Sequence, residues 1–265
     1  MKKQLFVSAL IFSFIVFCAA QLAAASSVSC RRIVFIGDSI TDGNWGKGDG
    51  RPTAERNLTD RNHLYGSGYM YLCAAHYQSR YPDRDYLFFN RGVSGNTLDE
   101  LAARWSQDVI ALKPDLLSVL IGSNDVSRYI SSLTSEADAA AREFDFAGWE
   151  ATYRQLLDQA RQANPRLQIV LCTPFAVRAG ALKTEKFYSL REQLLVRCAE
   201  VVKHLAADYG AAIVPFQQLV AGLEGQQPAG DDTYWVWDGI HPTPACHRRM
   251  ADCWIKTVTK KHFLR

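Results

Sequence analysis

The chain has 265 residues, 30 Lys and Arg against 27 Asp and Glu, a formal net charge of +3, and 48% hydrophobic residues. That length and apolar content suit a domain at the upper end of the usual size, with a sizeable core. The near-neutral balance excludes the basic signature expected of a nucleic-acid binder or of a protein held electrostatically to anionic membranes.

The first element is a leader. Met1-Lys2-Lys3 precedes an apolar run from Leu5 to Ala20 and the small residues Ala23-Ala24-Ala25-Ser26. Charged, apolar, then small is the order of a secretory signal peptide. Cleavage after Ala25 fits the A-x-A pattern best, with cleavage after Ala20 as the other choice. The apolar run falls short of the roughly 20 residues a spanning helix needs. The expectation is a signal peptide over residues 1–25, a single domain over 26–265, periplasmic or extracellular location, and no stable membrane association after cleavage. Losing Lys2 and Lys3 leaves 28 basic residues against 27 acidic, a net charge of +1. Neither Cys18 nor Cys30 suits lipid modification: bulky Phe17 precedes the first, and the second lies well past the apolar run.

Beyond the leader, short apolar runs alternate with helical patterns. Predicted strands are Ile33 to Ile36, Tyr86 to Phe89, Leu116 to Ile121, Leu167 to Cys172 and Ala212 to Pro215. Predicted helices are Gly68 to Tyr81, Thr97 to Leu112, Phe146 to Ala163 and Lys186 to Tyr209. A last helix begins at Thr243-Pro244, a hydroxyl cap before a proline at the first helical position, and runs to about Val258. Such alternation predicts a five-stranded parallel sheet covered on both faces, a three-layer α/β/α, flavodoxin-like domain. Asn44 to Tyr65 is the main irregular segment, polar and carrying Arg51, Arg56, Arg61 and His63. It reads either as an active-site rim, because it follows Ser39 closely, or as a solvated insertion.

Six cysteines follow the leader: Cys30, Cys73, Cys172, Cys198, Cys246 and Cys253. An even count in an exported chain permits disulfides, and six residues allow about 15 pairings. Cys172 sits in an apolar strand and reads as a small buried hydrophobe. Cys246 and Cys253 share a predicted helix roughly 10 Å apart, too far to bridge. No Cys/His spacing suggests zinc, and no cofactor or metal is expected.

Four fragments carry chemistry. Phe35-Ile36-Gly37-Asp38-Ser39 presents a serine hydroxyl where a strand hands over to a loop, the place where open α/β sheets bind ligands. Asn90-Arg91-Gly92-Val93-Ser94-Gly95-Asn96, Gly122-Ser123-Asn124-Asp125 and Asp238-Gly239-Ile240-His241-Pro242 complete the set. Ester cleavage by serine needs a base, a group to orient that base, and donors for the developing oxyanion. Ser39 serves as nucleophile, His241 as general base and later acid, and Asp238 as the orienting carboxylate. The expected oxyanion donors are the backbone N–H groups of Ser39 and Gly92 and the side-chain amide of Asn124. Trp237 and Asn96 are candidate substrate contacts. Aromatic rings near the catalytic loop either stack on sugar rings or fill core space. Asp42 and Asp125 are expected to make turn hydrogen bonds, and His247 to occupy a helix-surface or core position.

In order and placement these fragments resemble the SGNH (GDSL-type) serine hydrolases, and the similarity extends from Arg32 to about Val258. The four residues behind that name correspond to Ser39, Gly92, Asn124 and His241. Longer strings resemble the acetylxylan-esterase-like carbohydrate esterases: Asn90 to Thr97 (NRGVSGNT), Leu101 to Asp108 (LAARWSQD), Lys113-Pro114-Asp115, Ile121 to Val126 (IGSNDV) and Trp237 to Pro242 (WDGIHP). The resemblance implies removal of small acyl groups, usually acetyl, from plant-polysaccharide sugars. It implies a small acylated carbohydrate as partner and leaves a homo-oligomer open. The segment Asn44 to Tyr65 looks longer than in compact members. The same residues also serve lysophospholipases and thioesterases, although an apolar lid is missing from that polar segment. A non-catalytic sugar-binding protein would have lost at least one of these groups. A phosphate-cradling nucleotide binder would leave His241 unexplained. No G-x-S-x-G elbow surrounds Ser39, which argues against the usual α/β-hydrolase arrangement.

Overall fold

The computed structural model describes residues 31–43 and 66–264. The leader, Cys30 and the segment Asn44 to Tyr65 lie outside the described residues. Five parallel strands form one sheet: β1 (Arg32–Gly37), β2 (Leu87–Gly92), β3 (Leu116–Leu120), β4 (Gln168–Cys172) and β5 (Ala212–Val214). Their order is β2-β1-β3-β4-β5. In register, Gly37 at the end of β1 lies opposite Gly92 of β2 and Leu120 of β3.

Alternation along the strands sorts the core into two layers. Val34 and Ile36 of β1, Leu117 and Val119 of β3, and Ile169 and Leu171 of β4 face one layer. Against them pack α3 (Leu98–Trp105), α4 (Ser123–Ser131), α6 (Phe146–Ala163) and α7 (Tyr188–Asp208). Ile33 and Phe35, Leu116 and Leu120, and Val170 and Cys172 face the other. There they meet α2 (Tyr69–Arg80), α8 (Phe216–Ala221) and α9 (Pro244–Lys260). Burial on both sides explains why the strands read as continuous apolar runs. The one hydroxyl facing this second layer from β3, Ser118, accepts from the Trp254 indole N–H at 3.0 Å.

The predicted strands and long helices are present, with three differences. β2 continues past Phe89 through Asn90 and Arg91, which are polar yet buried because each has partners inside the protein. The helix predicted from Thr97 to Leu112 is α-helical only to Trp105 and then widens to a π turn over Ser106–Ile110. Four further helices, the one-turn α1 (Ser39–Asp42), α4, α5 (Glu136–Ala141) and α8 after β5, were not expected, since each carries too short an apolar stripe to register as periodic. No described helix is long and apolar enough to cross a membrane.

Cys73, Cys172, Cys198 and Cys246 are buried and Cys253 is half-buried, and all five are free. The disulfides that six cysteines would permit are therefore absent among the described residues. Burial pushes the Cys246 thiol up to about 12 and raises the other three buried thiols as well, so they behave as small apolar side chains.

Helix α1 rests directly on the end of β2. A Cβ added at Gly92 would come within 2.1 Å of the Asp42 backbone nitrogen and 2.6 Å of its Cα. Neither backbone can yield without moving the turn that starts at Ser39. Gly92→Ala is expected to cost about 3 kcal/mol in urea unfolding, the upper range for overpacking a core. A loss near zero would show that the two backbones are not in this contact.

Candidate active site

Four loops meet at the carboxyl end of the sheet. The first is the β1–α1 junction. Asp38 caps α1, its Oδ1 accepting from the Ile40 N–H at 3.0 Å, and Gly43 closes the turn with φ 58°. This short turn places the Ser39 hydroxyl half-buried at the sheet edge, 2.9 Å from His241 Nε2.

The second loop precedes α9. Asp238 Oδ1 accepts the backbone N–H groups of Ile240 at 2.9 Å and His241 at 2.7 Å, while Oδ2 lies 2.6 Å from His241 Nδ1. Burial pushes this carboxyl upward, but the hydrogen bonds from His241 and Ile240 outweigh it and hold Asp238 below the usual carboxylate value. The Asp238 carboxylate thus fixes both the ring and the backbone of His241. Gly239 makes the turn with φ 93°, and a Cβ there would meet Ala179 O at 2.7 Å. Its carbonyl accepts from Val177 N–H at 2.9 Å, which pins the loop to the segment after β4. Pro242 and Val236 form a bridge across the base of the loop.

The third and fourth loops follow β2 and β3. Asn124, in the first turn of α4, donates one amide hydrogen to Asn96 O at 3.1 Å and has a second to offer. Its neighbour Asp125 accepts from Leu98 N–H at 3.0 Å and the Trp149 indole at 3.1 Å, tying α4 to α3 and α6. His247 is half-buried on α9 and accepts from Tyr69 N–H at 3.1 Å. Burial, and then the nearby His241, push His247 down to about 4, so it serves as a neutral structural acceptor.

One expected site residue is placed differently by the structure, and a second has its oxygens engaged. The Gly92 N–H is already committed to Asn90 Oδ1 at 2.9 Å, and Asn90 Nδ2 in turn donates to Thr41 O and Asp42 O. Gly92 is therefore a packing glycine under α1 and does not offer the oxyanion donor expected of it. Three residues on, Gly95 turns the chain with φ 82°, is exposed, and has open space around its Cα. Its N–H has no hydrogen-bond partner among the described residues. Gly95 was legible as a loop glycine just before the Thr97 cap of α3, whereas Gly92 belongs to the strand itself. Asn96 is likewise not free to meet a substrate through its carbonyl oxygens. Oδ1 accepts from Arg104 Nε at 2.7 Å and its backbone oxygen holds Asn124. Trp237, by contrast, is 59% exposed and stacks on the His241 ring at 6.2 Å between centroids. Core filling is thereby excluded for it.

The sequence from residue 35 to 249 matches the model of the GDSL-like Lipase/Acylhydrolase family. The chain belongs to this family. Acetylxylan esterase of Geobacillus stearothermophilus is 31% identical over 233 residues, covering 87% of this chain and 94% of that protein. The crystal structure of an acetylxylan esterase from the same organism superimposes with a TM-score of 0.68 at 27% identity, covering 89% of this chain and 96% of the other. An alpha/beta hydrolase enzyme from the metagenome of Lake Arreo, Spain, gives a TM-score of 0.68 at 27% identity, covering 88% and 97%. As a GDSL-like acylhydrolase resembling acetylxylan esterases, the protein is a carboxylic ester hydrolase with the SGNH α/β fold.

Within this acylhydrolase, Asp38 lies buried directly beside the serine. Burial pushes its carboxyl up to about 7, against the Ile40 N–H bond that lowers it, and the charge of Asp125 adds to the rise. The folded state then holds the Asp38 proton more tightly than the unfolded chain. The associated stability is complete below the unfolded value of about 3.8 and drains away as pH rises to about 7. Asp38→Asn keeps an oxygen for the cap and never ionises. Its stability relative to the parent should rise by about 2–3 kcal/mol between pH 5 and pH 8 in paired denaturation curves. A difference independent of pH would contradict the burial of this carboxyl.

Proposed function

We propose that the protein is an exported serine esterase that removes small acyl groups, chiefly acetyl, from xylan-type carbohydrate. The observation that carries this reading is the unbroken chain from Ser39 Oγ to His241 Nε2 at 2.9 Å and from His241 Nδ1 to Asp238 Oδ2 at 2.6 Å. In the proposed mechanism Ser39 Oγ attacks the ester carbonyl carbon and passes its proton to His241 Nε2. The carbonyl π pair moves to oxygen, giving a tetrahedral oxyanion. Asp238 stays ionised and stabilises the imidazolium. Collapse breaks the bond to the sugar oxygen, which takes the proton from His241, leaving acyl-Ser39. Water, deprotonated by His241, repeats the sequence in reverse, releasing the carboxylic acid and restoring the serine.

The proposed oxyanion donors are the backbone N–H groups of Ser39 and Gly95 and the second amide hydrogen of Asn124. Ser39 N–H, like that of Gly95, has no hydrogen-bond partner among the described residues. Preorganised donors of this kind stabilise the transition state because they need no rearrangement as charge develops. The exposed Trp237 ring over His241 offers an apolar face for the leaving sugar. Similarity to an esterase named for acetylxylan supports the substrate class, and the leader sequence supports export.

The test is acetate release from acetylated xylan and xylo-oligosaccharides, with p-nitrophenyl acetate as a small control ester. The parent should act on all three, and Ser39→Ala should lose roughly 10⁴–10⁶-fold in turnover on each while unfolding as cooperatively as the parent. Activity on p-nitrophenyl acetate alone would discard the sugar substrate. Substantial activity in folded Ser39→Ala would overturn the nucleophile.

A further inference from the structure

A cavity of about 380 Å³ lies at the same carboxyl edge of the sheet, beyond β4 and β5, and includes none of Ser39, Asp238 or His241 in its walls. Its volume falls among those of small-ligand sites. The walls are the segment after β4, the first turns of α7, helix α8 and Trp235. Two of these walls share backbone with the catalytic loop. Val177 donates its N–H to Gly239 O, and Trp235 O accepts from Thr243 N–H, each at 2.9 Å. The cavity is thus built onto the strap that aims Asp238 and His241.

The lining combines aromatic surface with acceptors. Tyr188 and Trp235 supply rings, and Gln217 and Gln227 supply amides. Glu192 and Glu224 add carboxylates that have no ion-pair partner among the described residues. Positive charge is scarce: Arg178 lies over the Tyr188 ring at 5.3 Å, and Lys183 is taken by Asp232 at 2.6 Å. This composition disfavours an anionic ligand.

Two polar atoms of lining residues lie beneath the accessible surface. Trp235 Nε1 and Gln227 Oε1 are buried and have no hydrogen-bond partner among the described residues. Polar contact with a ligand therefore falls to Glu192, Glu224 and Gln217, whose oxygens accept from hydroxyl groups. A neutral sugar ring offers hydroxyls around its edge and an apolar face for the aromatic rings.

We propose that this cavity is an accessory subsite for neutral sugar units of the chain whose ester is cleaved at Ser39. The inference rests on the carbohydrate-esterase reading above. It gives longer oligosaccharides a second point of attachment next to the catalytic loop.

The test uses ¹⁵N-indole spectra of Ser39→Ala titrated with unsubstituted xylobiose through xylohexaose. Trp235→Phe and Trp237→Phe identify the two reporter signals, one for the cavity and one for the catalytic cleft. The expected result is that Trp237 responds to every oligomer, whereas Trp235 responds only to the longer ones. Glu192→Ala with Gln217→Ala should then weaken xylohexaose binding about tenfold, the loss of one or two hydrogen bonds. If Trp237 saturates while Trp235 stays silent at every length, the subsite is overturned and the sugar-esterase reading stands. If neither moves, the subsite falls together with the sugar reading, and hydrolysis of p-nitrophenyl acetate by the parent shows whether a serine esterase remains.

Discussion

The Arg104 guanidinium holds together the end of the sheet on which everything else depends. It donates to Gly37 O at 3.0 Å, Arg91 O at 2.8 Å, Asn96 Oδ1 at 2.7 Å and Asp108 Oδ2 at 2.7 Å. Gly37 stands two residues before Ser39, and Arg91 is the penultimate residue of β2. Through the Asn96 loop the same side chain reaches Asn124. A planar fork of five fixed donors suits this task, where a lysine would offer a single point charge. Fully buried Asp108 balances the charge, with Arg91 at 3.5 Å on its other oxygen. Buried ion pairs add little net stability, but removing one partner is costly because the other is left uncompensated. The value of this network lies in geometry.

Topology explains why Ser39 and His241 meet although they are 202 residues apart in sequence. In a sheet of order 2-1-3-4-5 the chain leaves β1 and β3 toward opposite faces, which opens a crevice at their carboxyl ends. Ser39 follows β1 and Asn124 follows β3, so the crevice is flanked by the proposed nucleophile and the proposed amide donor. The loop before α9 then crosses the same edge and brings His241, the proposed base, within 2.9 Å of the Ser39 hydroxyl. Gly92 and Gly239 permit close backbone approaches, under α1 and under the His241 loop. The segment after β4 serves both the catalytic loop and the neighbouring cavity, so the chemistry and the proposed sugar-chain anchor share one rigid support.

Much of this was legible in the chain. The strands are apolar on both faces and bounded by turns, and the long helices carry clear stripes, so their periodicity revealed them. Ser39, His241, Asp238 and Asn124 stood out because each lies in a loop directly after a strand or before the last helix. What failed was local and tertiary at once. Asn90 folds back to take the Gly92 N–H, a contact that no spacing rule announces, and the free N–H lies instead at Gly95. Arg104, eight residues later, takes the Asn96 side-chain oxygen, which leaves only the Asn96 amide hydrogens to meet a substrate. The even cysteine count left disulfides open, and the five described cysteines are free, four of them buried in the two apolar layers.

The most direct measurement is to inactivate the enzyme with diethyl p-nitrophenyl phosphate and locate the adduct by peptide mass spectrometry. The phosphoryl centre mimics the tetrahedral intermediate, so labelling demands an activated serine beside working oxyanion donors. The account predicts a single diethylphosphoryl group on Ser39, with esterase activity lost in proportion to its occupancy and no labelling in His241→Ala. A label on another residue, or full activity with Ser39 modified, would contradict it.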